Sequence, residues 1–288
     1  MATTITGGVA DLRANLEITT VQKSTTSTRQ QNVREAMEQG FTVLDSFLAG
    51  SYARSTMIAP LSESDIDIFV VIDAAYWTTY KDASAGLLQR TRDVLLQTYT
   101  RSPKIKPDGQ AVTITFNDFV VDVVPAFNRN GGGYLIPNGT GGWIQTNPNV
   151  HADVLTAQNK WHGGNLVPLV KMIKGWNRSN GDTFSGFYLE LMTTDVLTNV
   201  TISDFSSGVR YVFDKGREKI KLKQRDPAGL GDSWVNGLKK GTVEQAAARF
   251  TRAWELAVQA EALASNGRIS PATDNWRAIF GDYFPAYG

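Results

Sequence analysis

Apolar and polar positions follow two different rhythms along this chain. From Asp65 to Ile72 (DIDIFVVI) the residues after the acids are almost continuously apolar, which predicts a central sheet strand over Ile66–Ile72. Ala111–Phe116 (AVTITF) and Phe119–Val124 (FVVDVV) predict two more strands, joined at the turn signal Asn117-Asp118. Helical spacing appears at Gly8–Glu17 and at Arg29–Phe47, where Val33, Met37, Phe41 and Leu44 share a face. It returns at Ala83–Thr100, with Leu87, Val94 and Leu95 inward. Tyr52–Ile58 is a short helix after a Gly50-Ser51 turn. Asn128–Val150 is rich in Gly, Asn and Pro and reads as a loop longer than most connections. Beyond it the spacing is helical: Ala152–Trp161, Leu166–Arg178, Phe187–Thr198, Thr242–Ala264 and a tail near Trp276. The pattern divides the chain near Val150, into residues 1–150, an α/β core with N-terminal helices, and 151–288, a helical lobe.

Composition narrows the functional classes. With 288 residues and 42% hydrophobic content, the chain can bury a sizeable core. It has no cysteine, so disulfides and thiolate metal sites are excluded. The net charge of +1 argues against strong nucleic-acid binding, which needs a cationic field. No apolar run is long enough for a bilayer and the start carries no signal peptide. A cytoplasmic monomer without membrane contact is the expectation.

Two carboxylates in a strand need a reason, because Asp is depleted there. Asp65 and Asp67 are two apart and so point to one face. Like charges side by side resist ionising together, and a divalent cation removes the conflict. Asp122, set among valines in FVVDVV, is a third acid that a neighbouring strand could bring alongside. Three carboxylates suffice for two metals roughly 3.5–4 Å apart. The donors are all oxygen, which suits Mg²⁺, with Mn²⁺ able to substitute. The bland reading of Asp-X-Asp is a solvated turn. Gly50-Ser51 ahead of it and the buried setting of Asp122 favour a metal-dependent nucleotidyl-transfer site.

The order Gly-Ser, short helix, Asp-X-Asp and later strand Asp resembles the polymerase-β-like nucleotidyltransferases. Downstream come YLIPNGTGGWIQTNPNVH (Tyr134–His151), VPLVKMIKGWNR (Val167–Arg178), FSGFYLELM (Phe184–Met192) and QRDPAGLGDSW (Gln224–Trp234). That order is similar to the cGAS/DncV-like nucleotidyltransferases, which make cyclic oligonucleotide signals in bacterial anti-phage defence. The resemblance covers roughly Gly40 to Trp234.

The resemblance implies an α/β (α+β) polymerase-β-like core with a C-terminal helical lobe and the active site in the cleft between them. It implies Mg²⁺ on Asp65, Asp67 and Asp122, and a nucleotide held by Gly50 and Ser51. A lysine on the Val167–Arg178 helix would touch triphosphate; both Lys171 and Lys174, three apart, fit. The family places a phosphate-touching serine and a base-stacking aromatic ahead of Leu-Glu. Here Ser185 and Tyr188 lie near those places, with Gly186 in the serine's usual position and Phe187 as the other aromatic. Asn165, before the lysine helix, could read a pyrimidine edge or simply cap that helix. Asp226-Pro227 would shape the acceptor side. His151 and His162 have no companion at metal-ligand spacing and read as structural.

The substrates implied are ATP and a second nucleoside triphosphate, and the product a cyclic di- or oligonucleotide, with a pyrimidine-containing one such as cyclic UMP-AMP in view. A downstream effector would recognise it. Two rivals stand beside this reading. One is a terminal nucleotidyltransferase extending RNA or a linear oligonucleotide, whose basic track could be Lys215, Arg217, Lys219, Lys221, Lys223 and Arg225, a run that alternates like a strand and reads equally as a solvated face. The other is a non-catalytic nucleotide sensor.

Overall fold

A computed structural model describes the chain except Met1, residues 102–103, 231–233 and Asn236. The helices are α1 (Ile5–Asn15), α2 (Thr20–Glu38), α3 (Gly50–Ala53), α4 (Trp77–Tyr80), α5 (Ser84–Thr98), α6 (Pro148–Trp161), α7 (Leu166–Ser179), α8 (Gly186–Val196), α9 (Phe205–Lys219), α10 (Val243–Ser265) and α11 (Ile269–Phe280). The strands are β1 (Val43–Leu48), β2 (Asp65–Ile72), β3 (Lys104–Asp108), β4 (Ala111–Thr115), β5 (Val120–Asn128), β6 (Tyr134–Pro137), β7 (Trp143–Thr146), β8 (Gln224–Arg225) and β9 (Trp234–Val235). The architecture is an α/β core with a helical lobe, and none of the described helices is long and apolar enough to cross a membrane.

Two compact units share these elements. The core unit holds residues 18–153 and 227–233; the helical unit holds 1–17, 154–226 and 234–288. The first seventeen residues therefore belong with the helices, not with the sheet. Thr4 caps α1, and Phe284 fills the space beside Gly8, so the two ends of the chain pack in one unit.

In the core unit the sheet runs β1-β2-β5-β4-β3, with β6 on β5 and β7 on β6. Strand β2 is antiparallel to β1 and parallel to β5; β4 is antiparallel to both β5 and β3. Strand alternation sorts the side chains into two faces. Ile66, Ile68, Val70, Val121, Val123, Val112 and Ile114 pack with Val33 and Met37 of α2 and Leu87 and Leu95 of α5. Fully burying each such side chain stabilises the fold by about 1.5–3 kcal/mol. The other face carries the acids, followed along the strands by Phe69, Val124 and Ala126.

Several expected boundaries move. The expected helix Arg29–Phe47 ends at Glu38, and Val43–Leu48 is a strand. A Cβ at Gly40 would stand 2.2 Å from Val94 Cγ2, so the chain passes too close to α5 to carry a side chain there. The β-branched Thr42-Val43 then suits the edge of the sheet, and Leu44 is exposed. The loop expected over Asn128–Val150 contains the β6–β7 hairpin. Its turn is organised by Asn138, whose Oδ1 accepts from the N–H groups of Thr140 and Gly142 at 2.9 and 2.8 Å. The Lys215–Arg225 run is not one strand: only Gln224–Arg225 is extended, as β8. Lys215, Arg217 and Lys219 close α9, a helix that begins at the Asp204 cap.

The β4–β5 turn is clamped from outside. Arg29 of α2 stacks 3.8 Å over the Phe116 ring centroid and 4.3 Å over that of Phe119. Its guanidinium also pairs with Asp118 at 2.8 Å. Of the later motifs, Gln224–Arg225 pairs with Trp234–Val235, while residues 231–233 lie outside the described ones.

Candidate active site

Strand register places the acids. Asp67 lies opposite Asp122 across the parallel β2–β5 pair, and Asp65 is two residues earlier on the same face. Asp65 is exposed; Asp67 and Asp122 are half-buried. Thr113 of β4 lies opposite Asp122 on its other side, and its hydroxyl donates to Asp122 Oδ1 at 2.6 Å. Burial pushes the Asp122 carboxyl above its ordinary value. The Thr113 bond opposes that shift, and the negative charges of Asp65 and Asp108 add to it.

This crowding of negative charge on oxygen donors is what a divalent cation relieves, and the residues fit one. Among the described residues no three carboxylates or imidazoles form a cation cage by themselves. Mg²⁺ does not require that, since it keeps waters and takes substrate phosphates alongside one or two carboxylates.

The Gly50-Ser51 turn is built onto the same strand. Ala49 donates its N–H to the backbone carbonyl of Asp67 at 2.8 Å. Gly50 has φ +57°, and a Cβ there would stand 1.7 Å from Asp67 Oδ2. Both conditions select glycine. Ser51 follows, half-exposed; its own carbonyl accepts from the Thr56 and Met57 N–H groups at 2.9 and 3.1 Å. One turn of helix thus follows directly on the Gly50 backbone that lies against Asp67.

In the helical unit the two candidate lysines differ. Lys171 is buried and its ammonium donates to both oxygens of Glu17, at 2.7 and 2.8 Å. It ties the segment after α1 to α7, so its charge is engaged in structure. Lys174 donates to Glu190 of α8 at 3.1 Å. Gly186, the first residue of α8, is so close that a Cβ there would lie 3.3 Å from Lys174 Cε. Ser185 is the N-cap of α8, its hydroxyl accepting from the Tyr188 N–H at 3.5 Å. Lys174, Ser185 and Gly186 are therefore neighbours.

Tyr188 is not placed to stack on a base. It is fully buried and its hydroxyl donates to the carbonyls of Lys219 and Leu222, at 3.0 and 2.7 Å. Phe187 beside it is half-exposed. Asn165 occupies the N-cap position of α7, but its side chain makes no capping bond. Asn159 of α6 serves instead, accepting from the Val167 N–H at 3.0 Å. His162 is buried against Trp161, with its imidazole held below the usual histidine value by burial. Part of the basic run is paired locally: Lys215 and Arg217 share Asp214, Lys219 pairs with Asp195 and Lys221 with Glu218. Sequence reasoning missed Thr113 beside Asp122 and the carboxylates of Glu17 and Glu190 that engage the two lysines. Only Thr113 had a readable signal, because a two-residue turn at Asn117-Asp118 sets Phe116 opposite Phe119 and hence Thr113 opposite Asp122.

A family model, the Second Messenger Oligonucleotide or Dinucleotide Synthetase domain, matches residues 5–159. The chain is 28% identical over 275 residues to a Bacillus cereus protein named a probable cyclic nucleotide synthase, covering 83% of this chain and 81% of that one. It is 25% identical over 298 residues to a cyclic AMP-AMP-AMP synthase of Acinetobacter sp., covering 96% and 84%. Its fold is similar to that of Escherichia coli MS115-1 CdnC with ATP, with a TM-score of 0.74 and 17% identity over 98% of this chain and 99% of that one.

Proposed function

Because the chain belongs to the Second Messenger Oligonucleotide or Dinucleotide Synthetase family, within the cGAS/DncV-like nucleotidyltransferases, we propose that it joins nucleoside triphosphates into a cyclic di- or oligonucleotide messenger in anti-phage signalling. Asp65, Asp67 and Asp122 are the residues that would hold Mg²⁺ or Mn²⁺. The bound ion supplies charge neutralisation on the triphosphate and acidifies the attacking hydroxyl.

The remaining chemistry falls to the side chains. In the core unit the Ser51 hydroxyl and neighbouring backbone N–H groups are the proposed ligands of phosphate oxygens; in the helical unit the proposed phosphate ligand is Lys174. Phe187 offers the stacking ring that Tyr188 cannot. The Asp122 carboxylate accepts the proton of an acceptor ribose hydroxyl. That oxygen bonds to the α-phosphorus of the donor, the bond from that phosphorus to the bridging oxygen breaks, and pyrophosphate leaves. Positioning and charge neutralisation carry most of the catalysis.

The single observation behind this reading is the register that sets Asp67 opposite Asp122, with Asp65 on the same face and the Gly50 turn pressed against Asp67. The local pairing of Lys215, Arg217, Lys219 and Lys221 speaks against a basic track for RNA. Base choice is the finer part of the proposal: Asn165 reads an edge of a pyrimidine, giving a product such as cyclic UMP-AMP.

The test is incubation with all four nucleoside triphosphates, each radiolabelled in turn at the α-phosphate, followed by phosphatase. The expected result is a small phosphatase-resistant product, lost in EDTA and in the Asp65→Asn/Asp67→Asn variant. Extension of an oligonucleotide with no small product would move the assignment to the polymer-extending class. A product of adenine alone, as the Acinetobacter relative's name states, would remove the pyrimidine part only.

A further inference from the structure

Lys174 and Glu190 form an ion pair that burial makes costly. Their side chains are 12% and 2% exposed, with Nζ 3.1 Å from Oε1. Two charges taken out of water recover their hydration only partly by attracting each other, so such a pair is weak evidence for stability. Its location adds to the cost. The Lys174 side chain passes the first residue of α8, where a Cβ on Gly186 would be 3.3 Å from Cε and 3.6 Å from Nζ. A helix begins with a partial positive charge and unpaired N–H groups, so an ammonium there is disfavoured. Glu190 lies four residues after Gly186, one turn along the same face of α8. It offsets both charges at that spot.

We propose that Glu190 is a positioning residue for triphosphate binding: it holds the Lys174 ammonium at the start of α8 before nucleotide arrives. This rests on the reading above that Lys174 takes a phosphate oxygen. The Glu17 pair explains why Lys171, three residues away, does not serve in its place: both carboxylate oxygens already engage its ammonium. A long flexible side chain that is already placed loses little freedom on binding, so the arrangement works on affinity more than on the bond-making step.

The experiment is a double-mutant cycle on the whole protein, with initial rates and with calorimetric binding of a non-hydrolysable ATP analogue in the presence of Mg²⁺. Glu190→Gln is expected to raise KM for ATP about 10-fold with kcat within about 3-fold. Lys174→Ala should do the same. The double variant should be no worse than Lys174→Ala alone, since the glutamate acts through the lysine. Glu190→Asp should recover part of the loss. Fully additive effects, or a Glu190→Gln variant with unchanged KM and only a lowered melting temperature, would overturn the proposal. If Lys174→Ala leaves both KM and analogue affinity unchanged, the phosphate reading of Lys174 fails first. If it weakens both while Glu190→Gln does not, only the role of Glu190 fails. Should Glu190→Gln not fold, the Glu190→Asp and Lys174→Ala pair still reads the coupling.

Discussion

Thr113 donates a 2.6 Å hydrogen bond to one oxygen of Asp122 from the strand alongside. The bond fixes the carboxylate's rotation about its last torsion and leaves the second oxygen for the hydroxyl or cation of the proposed reaction. Thr113→Val keeps the shape and removes the donor. The expected result is a loss in kcat of about 10–100-fold, the range for partners that orient a ligating group. Thr113→Ser should restore most of it. Steady-state rates for both variants check this, with an unchanged melting temperature as control.

Asp122 also makes a prediction about stability in metal-free buffer. Its folded-state value is raised, chiefly by burial. The folded protein therefore binds more protons than the unfolded chain in the window between the two values. Stability falls as pH rises from below the ordinary carboxylate range through the raised value, and the penalty is complete above it. Asp122→Asn removes the charge. In EDTA its melting temperature should equal or exceed that of the wild type at pH 7, and the difference should shrink toward zero near pH 3. A variant that melts lower at pH 7 would mean that the Asp122 charge is satisfied without a cation. Activity should be lost in either case.

Gly50→Ala should separate fold from function. The added Cβ would meet Asp67 Oδ2 at 1.7 Å, on a backbone with φ +57°. Part of the strain, about 1–2 kcal/mol for a left-handed alanine, falls on stability. The rest is relieved by pushing the Asp67 side chain aside. Product formation should therefore fall by at least about 100-fold while the protein still folds, in keeping with the cost of a 1 Å misplacement. Circular dichroism and a rate measurement together decide it.

Asn165→Ser addresses base choice. Asn165 starts α7 nine residues before Lys174, about 14 Å along the helix at 1.5 Å per residue. That is roughly the span from a triphosphate to its base. Since Asn159 does the capping of α7, serine at 165 has no cap to preserve. A lost base-edge bond of about 1–3 kcal/mol should shift the product ratio in an equimolar nucleotide mixture by 5-fold or more at similar total rate, by the usual free-energy conversion. An unchanged ratio would leave Asn165 without a part in selection.

The acids were legible because charge in an apolar strand is conspicuous, and because strand alternation is arithmetic. Asp65 and Asp67 on one face, and Asp122 beside them, follow from spacing and one pairing. Tyr188 was not legible. A tyrosine next to a helix start reads equally as a stacking ring or as core, and only the carbonyls of Lys219 and Leu222, supplied by the end of α9 and the turn after it, make it core. The same holds for the lysines. That Lys171 belongs to Glu17 depends on a contact spanning more than half the chain, which periodicity does not encode. Edge strand β1 was hidden because Phe41 and Leu44 continue the helical spacing of Val33 and Met37, while the pressure of Val94 against Gly40 is tertiary.

The clamp of Arg29 on Phe116, Asp118 and Phe119 has a consequence for how this chain can change in length. The two-residue turn counts Thr113 and Asp122 into opposition, and β5 then carries Asp122 to Asp67. One inserted codon at Asn117-Asp118 that slipped the strands by a residue would turn Asp122 into the valine layer and a valine onto the acid face. The gene should tolerate codon gains in the glycine-rich β5–β6 connection and purge them at this turn, although both are exposed and neither touches the chemistry.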